Sequence, residues 1–205
     1  MQYKIDYAIK KIEEALGPSL FAIYLKGTYL MKEMNSKSDI DLVVIFKESE
    51  RSSFNKIKGH EVFGNVSVSG YSLEELRSGK STHSKQSPKT FMNNVKHFEL
   101  IKGNSVSGKG FPQKTDKEIY EDHKSYLKNT FLPEYLSKKH SLNDLVKQVL
   151  WLSFNELKVK GLNPKYSYKA IHDLLELGHI GRKAYRIRLG EEEGDLVEDL
   201  ISYLA

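Results

Sequence analysis

Two aspartates one residue apart, Asp39 and Asp41, stand at the head of an apolar block, IDLVVIF, and ten residues ahead of them lies the pair Gly27-Thr28. In an extended chain residues i and i+2 point to the same side, so both carboxylates project from one face while Ile40 and Leu42 enter a core. Two like charges this close raise each other's pKa unless a cation sits between them. A divalent ion relieves the repulsion, and Mg2+ held by one or two carboxylates together with phosphate oxygens is the usual arrangement in phosphoryl transfer. Gly27-Thr28 supplies the complementary half. A glycine directly after a strand lets the backbone approach a ligand, and the Thr28 hydroxyl with the amides that follow suits a triphosphate. The bland alternative is that Asp39 only caps a turn, with Asn35, Ser36 and Ser38 as loop residues. Three coinciding features favour the site: a strand before Gly-Thr, the ten-residue spacing, and a strand that contains Asp41.

The elements that must position these groups can be read from periodicity. Ile5, Ala8, Ile9, Ile12, Ala15 and Leu16 recur at three and four, predicting a helix over 3–16 that Gly17-Pro18 stops. SLFAIYLK reads as a strand, 29–36 as a short helical connection, and 40–46 as a second strand rich in β-branched residues. Val62, Val66 and Val68 alternate with Asn65, Ser67 and Ser69, predicting a third strand within 60–71. Ser72 with Glu75 forms a capping box, which marks a helix start. The Ser/Lys/Gly stretch at 78–90 reads as a loop, and VKHFELI at 95–101 as a further strand. From about Thr115 the pattern turns helical, most clearly over 142–160, where Ser141 and Asp144 form a second capping box and Gly161 ends the run. Weaker helical patterns cover 117–129, 168–177 and 193–204. Strands first and helices later predict an α+β fold: a small mixed sheet packed with helices over 1–112, then an all-α bundle over 113–205.

Composition narrows the chemistry. The chain has 205 residues, 39% hydrophobic and 29% charged, as an ordinary globular protein does. No window reaches the roughly 18 apolar residues of a membrane span, and MQYKIDYAIKKIEE is too charged for a signal peptide, so a cytoplasmic location and no membrane partner are expected. Without cysteine, any metal must be held by oxygen or imidazole. Basic residues concentrate between Arg77 and Lys117, which makes nucleic acid a less favoured partner beside the simpler reading of a solvated lysine-rich surface. GNSVSGKG at 103–110 matches GxxxxGK but has Gly110 where a phosphate loop needs Ser or Thr, and Phe111-Pro112 where it needs a helix. The histidines show no metal-ligand spacing, and Trp151 reads as a core residue.

Gly27-Thr28 followed by Ser38-Asp39-Ile40-Asp41-Leu42 resembles the signature of the DNA polymerase β-like nucleotidyltransferase superfamily. YSLEEL at 71–76 is similar to the segment after the third strand in small members. VLWLSFNELKVKGLNPKYSYKAIHDLLEL at 149–177 resembles the helical domain of aminoglycoside nucleotidyltransferases. The resemblance implies transfer of a nucleoside monophosphate from a Mg2+-bound nucleoside triphosphate, ATP foremost, to an acceptor hydroxyl. That hydroxyl would belong to a small molecule such as an aminoglycoside, lying between the two domains, or to a protein side chain. It assigns Asp39 and Asp41 to the metal, Gly27, Thr28 and Ser38 to the nucleotide, and Lys169 to its phosphates.

One feature departs from the family pattern. A third carboxylate is expected on the next strand as metal ligand or general base, and counting back from YSLEEL puts Ser67 there. Glu61 shares the strand but lies about 20 Å away at ~3.3 Å per residue. Glu33 is another substitute. Either a base comes from elsewhere and the protein is an enzyme, or the fold binds a nucleotide and regulates without turnover.

Overall fold

The computed structural model describes residues 2–34, 38–59, 64–83, 86–107 and 110–205. Within them the first helix is α1 (Gln2–Leu16), whose Ile5, Ala8, Ile12 and Leu16 are all buried, so the predicted stripe is the packed face. Strand β1 (Leu20–Lys26) runs straight into a single turn of helix, α2 (Gly27–Leu30), and β2 (Ile40–Phe46) follows. A 3-10 turn over Glu48–Glu50 leads into α3 (Arg51–Asn55), and β3 (Val66–Ser72) leads into α4 (Leu73–Ser78). Then come α5 (Pro88–Asn94) and β4 (Glu99–Gly103).

The four strands form one mixed sheet in the order β3-β2-β1-β4. β1 pairs antiparallel with β2 and with β4, while β2 and β3 are parallel. Each face has its own core. Ile23, Leu25, Ile40, Leu42, Val44, Phe46, Val66 and Val68 pack with α1 on one side. Ala22, Tyr24, Val43, Ile45 and Tyr71 pack on the other with Leu73 and Leu76 of α4 and Phe91 and Met92 of α5. The interior strand β2 is apolar on both faces from Leu42 onward, which is why its sequence reads as a continuous run rather than an alternation.

Two local readings change. Pro88–Asn94, read as loop, is a helix: Pro88 occupies its first turn, where the missing N–H has no intrahelical acceptor in any case, and Phe91 and Met92 are buried. In VKHFELI the first three residues form a 3-10 turn, so β4 begins only at Glu99. The part of the third strand assigned to 60–63 lies outside the described residues.

Residues 1–113 and 114–205 are two compact units. In the second, α6 (Asp116–Tyr126) passes through a π-helical turn at Leu127–Phe131 into α7 (Leu132–Leu136). Pro133 has no N–H to offer the preceding turn, and the widened turn carries the helix past it. α8 (Leu142–Val159), started by the predicted Ser141–Asp144 capping box, is the central helix of this unit and packs against α6, α9 (Tyr168–Leu174) and α10 (Ile180–Leu189). α11 (Val197–Leu204) closes the chain. Helix α10, too polar in IGRKAYRIRL to stand out in the sequence, comes close to α8 at Gly181, where a Cβ would lie 2.4 Å from Ser153 Oγ.

Candidate functional site

The antiparallel register of β1 on β2 sets Lys26 opposite Asp41, and the parallel register of β2 on β3 sets Asp41 beside Ser67. Paired residues share a face, so Ser67, Asp41 and Lys26 make one row across three strands. The next rows on that face are Ser69, Val43 and Tyr24, then Tyr71, Ile45 and Ala22. Helices α4 and α5 cover the inner rows. The first row is left half-buried, as are Asp39 and Ser38 just ahead of β2.

Gly27 follows the row at once. Its φ of +78° lies in the left-handed region that glycine enters without steric penalty. A Cβ here would fall 2.3 Å from Asp41 Oδ2 and 3.2 Å from its Cγ. The residue is therefore required twice, for the turn out of β1 and for the volume that the Asp41 carboxylate occupies. Thr28 is 5% exposed, and its hydroxyl has no hydrogen-bond partner among the described residues. Its carbonyl accepts from the Glu33 N–H at 3.0 Å, so the chain after α2 folds back on the turn that follows β1. On the far side Ile40 N–H donates to the Asn65 carbonyl at 2.9 Å, tying the residue between the two aspartates to the entry of β3.

The donor set suits a hard divalent cation: two carboxylates two residues apart, no thiolate in the chain, and a glycine that clears space beside one of them. Among the described residues no group of three or more His, Asp or Glu side chains stands close enough to hold a metal ion, so no third acid joins the pair there. Ser67 sits in the neighbouring position of the row instead. Glu99 is no replacement, because it pairs with Leu25 and so belongs to the opposite face, beside a cavity of about 460 Å3 that it lines with Leu25, Tyr29, Leu30, Lys32 and Met34. Glu61 lies outside the described residues.

The structure brings Gly27 against Asp41, with Thr28, Ser38 and Asp39 flanking them in the chain. Lys169 belongs to the second unit, where its ammonium is 2.6 Å from Asp173 Oδ2 on the exposed side of α9. The phosphate-loop lookalike is not followed by a helix: Gly103 ends β4, Val106 N–H donates to Tyr24 OH at 2.7 Å, and residues 108 and 109 of the motif lie outside the described residues. Sequence reasoning missed Lys26. Its one signal was position, immediately before Gly27, and only strand pairing shows what it faces.

The second unit holds a different acidic centre. Glu156 on α8 accepts from His179 Nε2 at 2.8 Å and pairs with Lys160 at 2.7 Å, and the Tyr203 hydroxyl donates to it. His179 Nδ1 accepts from the Gly181 N–H at 3.0 Å, which leaves Nε2 to carry the donated proton. Burial alone would raise the Glu156 pKa, yet the hydrogen bonds from His179, Lys160 and Tyr203 outweigh it and hold the carboxyl at about 2. The same burial and contact push the Tyr203 phenol up.

No family model matches the chain, and no curated protein matches it. Among solved structures it is similar to spectinomycin adenyltransferase AAD(9) from Enterococcus faecialis, determined with ATP and spectinomycin. That likeness has a TM-score of 0.60 and 13% identity, and it covers 100% of this chain and 97% of that one. At that identity the likeness is one of fold. What the two share is an α+β fold, a small mixed sheet packed with helices followed by a helical part.

Proposed function

We propose that the protein is a nucleotidyltransferase that moves a nucleoside monophosphate from a nucleoside triphosphate, ATP foremost, to a hydroxyl of a small molecule. The observation that carries the reading is the clearance at Gly27, where the backbone gives its side-chain volume to the Asp41 carboxylate at the end of a strand whose neighbour brings Asp41 into place. Asp39 and Asp41 would hold Mg2+, which when bound offsets the charge of the phosphate chain and polarises its oxygens. Gly27, Thr28 and Ser38 would line the nucleotide, and the Thr28 hydroxyl, which has no hydrogen-bond partner among the described residues, would meet a phosphate oxygen. The acceptor oxygen forms a bond to the α-phosphorus, and the bond to the departing pyrophosphate breaks. Residues 1–112 would act as the nucleotidyltransferase domain and 113–205 as a helical partner domain. In this reading Lys169 is a nucleotide contact supplied by the second unit. The fold shared with an adenyltransferase determined with ATP and spectinomycin supports a small-molecule acceptor such as an aminoglycoside. A reaction that draws on ATP and Mg2+ suits the cytoplasm.

A second reading rests on Ser67. With serine beside Asp41, the row offers no carboxylate beyond the proposed metal ligand Asp41 to take the acceptor's proton, and a nucleotide-binding regulator needs none. One assay separates the two. The protein is incubated with Mg2+, labelled ATP and a panel of aminoglycosides and aminocyclitols, and pyrophosphate is measured. Acceptor-dependent pyrophosphate release, lost by at least about 100-fold in Asp39→Asn and Asp41→Asn, is expected. Nucleotide binding without release across the panel would favour the regulator, and unchanged release in both variants would remove the site from Asp39 and Asp41.

A further inference from the structure

Across the first row of the sheet the formal charges are 0 at Ser67, −1 at Asp41 and +1 at Lys26, with a second −1 at Asp39. Lys26 stands directly across from Asp41, and cross-strand partners have Cβ atoms roughly 5 Å apart. Its side chain nevertheless makes no hydrogen bond or ion pair with any described residue, although it is half-buried. The next residue down on the same face of β1, Tyr24, is buried, with its hydroxyl committed to Val106 N–H, so Lys26 is the first side chain of that strand free of the covered core. An ammonium that has no ion pair among the described residues is available to an anion that arrives, and a charge-assisted hydrogen bond to that anion is a strong one. The next residue is the glycine at which the backbone leaves the strand, and after it comes the Thr28 hydroxyl, itself without a partner among the described residues.

We propose that Lys26 is a phosphate-binding residue of this site, a cation built into the chain that grips the nucleotide's phosphate groups independently of any metal. Ser67 and Lys26 then belong to one arrangement. Replacing a carboxylate by serine at one end of the row and placing an ammonium at the other lowers the negative charge of the four groups to −1. Such a site attracts a free divalent cation less than a three-carboxylate site does, and it accepts a phosphate chain that a purely acidic row would repel. The metal would be taken up mainly together with the nucleotide.

The inference rests on the proposed nucleotide site, and calorimetry with ATP keeps the two apart. Wild-type protein titrated with ATP in EDTA should still bind, more weakly than with Mg2+. Lys26→Met should weaken the EDTA binding by about tenfold or more, while Lys26→Arg should keep most of it. The melting temperature of Lys26→Met should match wild type, because no partner among the described residues is lost, and Lys26→Gln serves as a second neutral variant if it does not. Equal ATP affinity in EDTA for wild type, Lys26→Met and Lys26→Gln overturns the proposal and leaves the nucleotide site standing. No ATP binding by wild type even with Mg2+ overturns both.

Discussion

The two carboxylate centres, Asp39 with Asp41 in the first unit and Glu156 in the second, illustrate opposite uses of acid. Around Glu156 the fold supplies donors from Lys160, His179 and Tyr203, and the charge is neutralised internally. Around Asp41 the fold supplies room: a glycine where any side chain would collide, a serine at the next position and a lysine that forms no ion pair with it. A carboxylate surrounded by donors holds a structure together. Under the proposed function, the one beside Gly27, on the half-buried first row of the sheet, serves a ligand that comes and goes.

Gly27→Ala attacks that contrast most directly. The added methyl group meets Asp41 Oδ2, and φ is +78°, so the carboxylate must move and the turn is strained. Turnover should fall by about tenfold to a hundredfold, with a stability loss of about 1 kcal/mol. Gly17→Ala is the control, since Gly17 also has positive φ but a Cβ there meets nothing within 4 Å. It should lose stability and leave nucleotide transfer unchanged. If the two variants behave alike in a pyrophosphate assay, the clearance at Gly27 has no role in the chemistry.

The Glu156 centre should show itself in acid. Its carboxyl is held at about 2 in the folded protein against an ordinary value of 4.5, so the folded state favours the ionised form. That stabilisation is present above about pH 4.5 and is lost as pH falls toward 2. By linkage it amounts to something on the order of 2 to 3 kcal/mol. Glu156→Gln should therefore be less stable than wild type by about that amount at pH 7, and the gap should close as pH falls from 4.5 to 2. Urea unfolding at several pH values tests this, and a constant gap across the range would remove the centre's electrostatic role.

Lys169→Ala sets the lower end. Its ion pair with Asp173 is exposed and spaced i,i+4, a geometry in which solvent screening leaves little stabilisation. The melting temperature should hardly change. Any substantial loss of ATP affinity in this variant would then mark the nucleotide contact that family resemblance assigns to it.

Much of the molecule is legible in the chain because the signals are local. The capping boxes at Ser72 and Ser141 start helices where expected, since their hydrogen bonds span only three residues. The Asp39-Ile40-Asp41 pattern places acids at a strand entry by simple alternation. Helix α5 escapes because its evidence is two buried residues, Phe91 and Met92, whose burial depends on the sheet beneath them. Lys26 escapes for a related reason: nothing within its own segment distinguishes it from any solvated lysine until β2 is laid beside β1.

Sequence alone therefore determined the chemistry on offer: which acids, which glycine, which strands, and that serine occupies position 67. Only the tertiary structure decided the arrangement, setting Ser67, Asp41 and Lys26 in one row and giving Gly27's missing side chain to a carboxylate 14 residues further on. It also gathered Glu156, His179 and Tyr203 from three separate stretches of the helical unit. The physical reason is range. Capping and alternation act over two to four residues and can be read along the chain, whereas strand register and burial are settled by partners that the local sequence does not name.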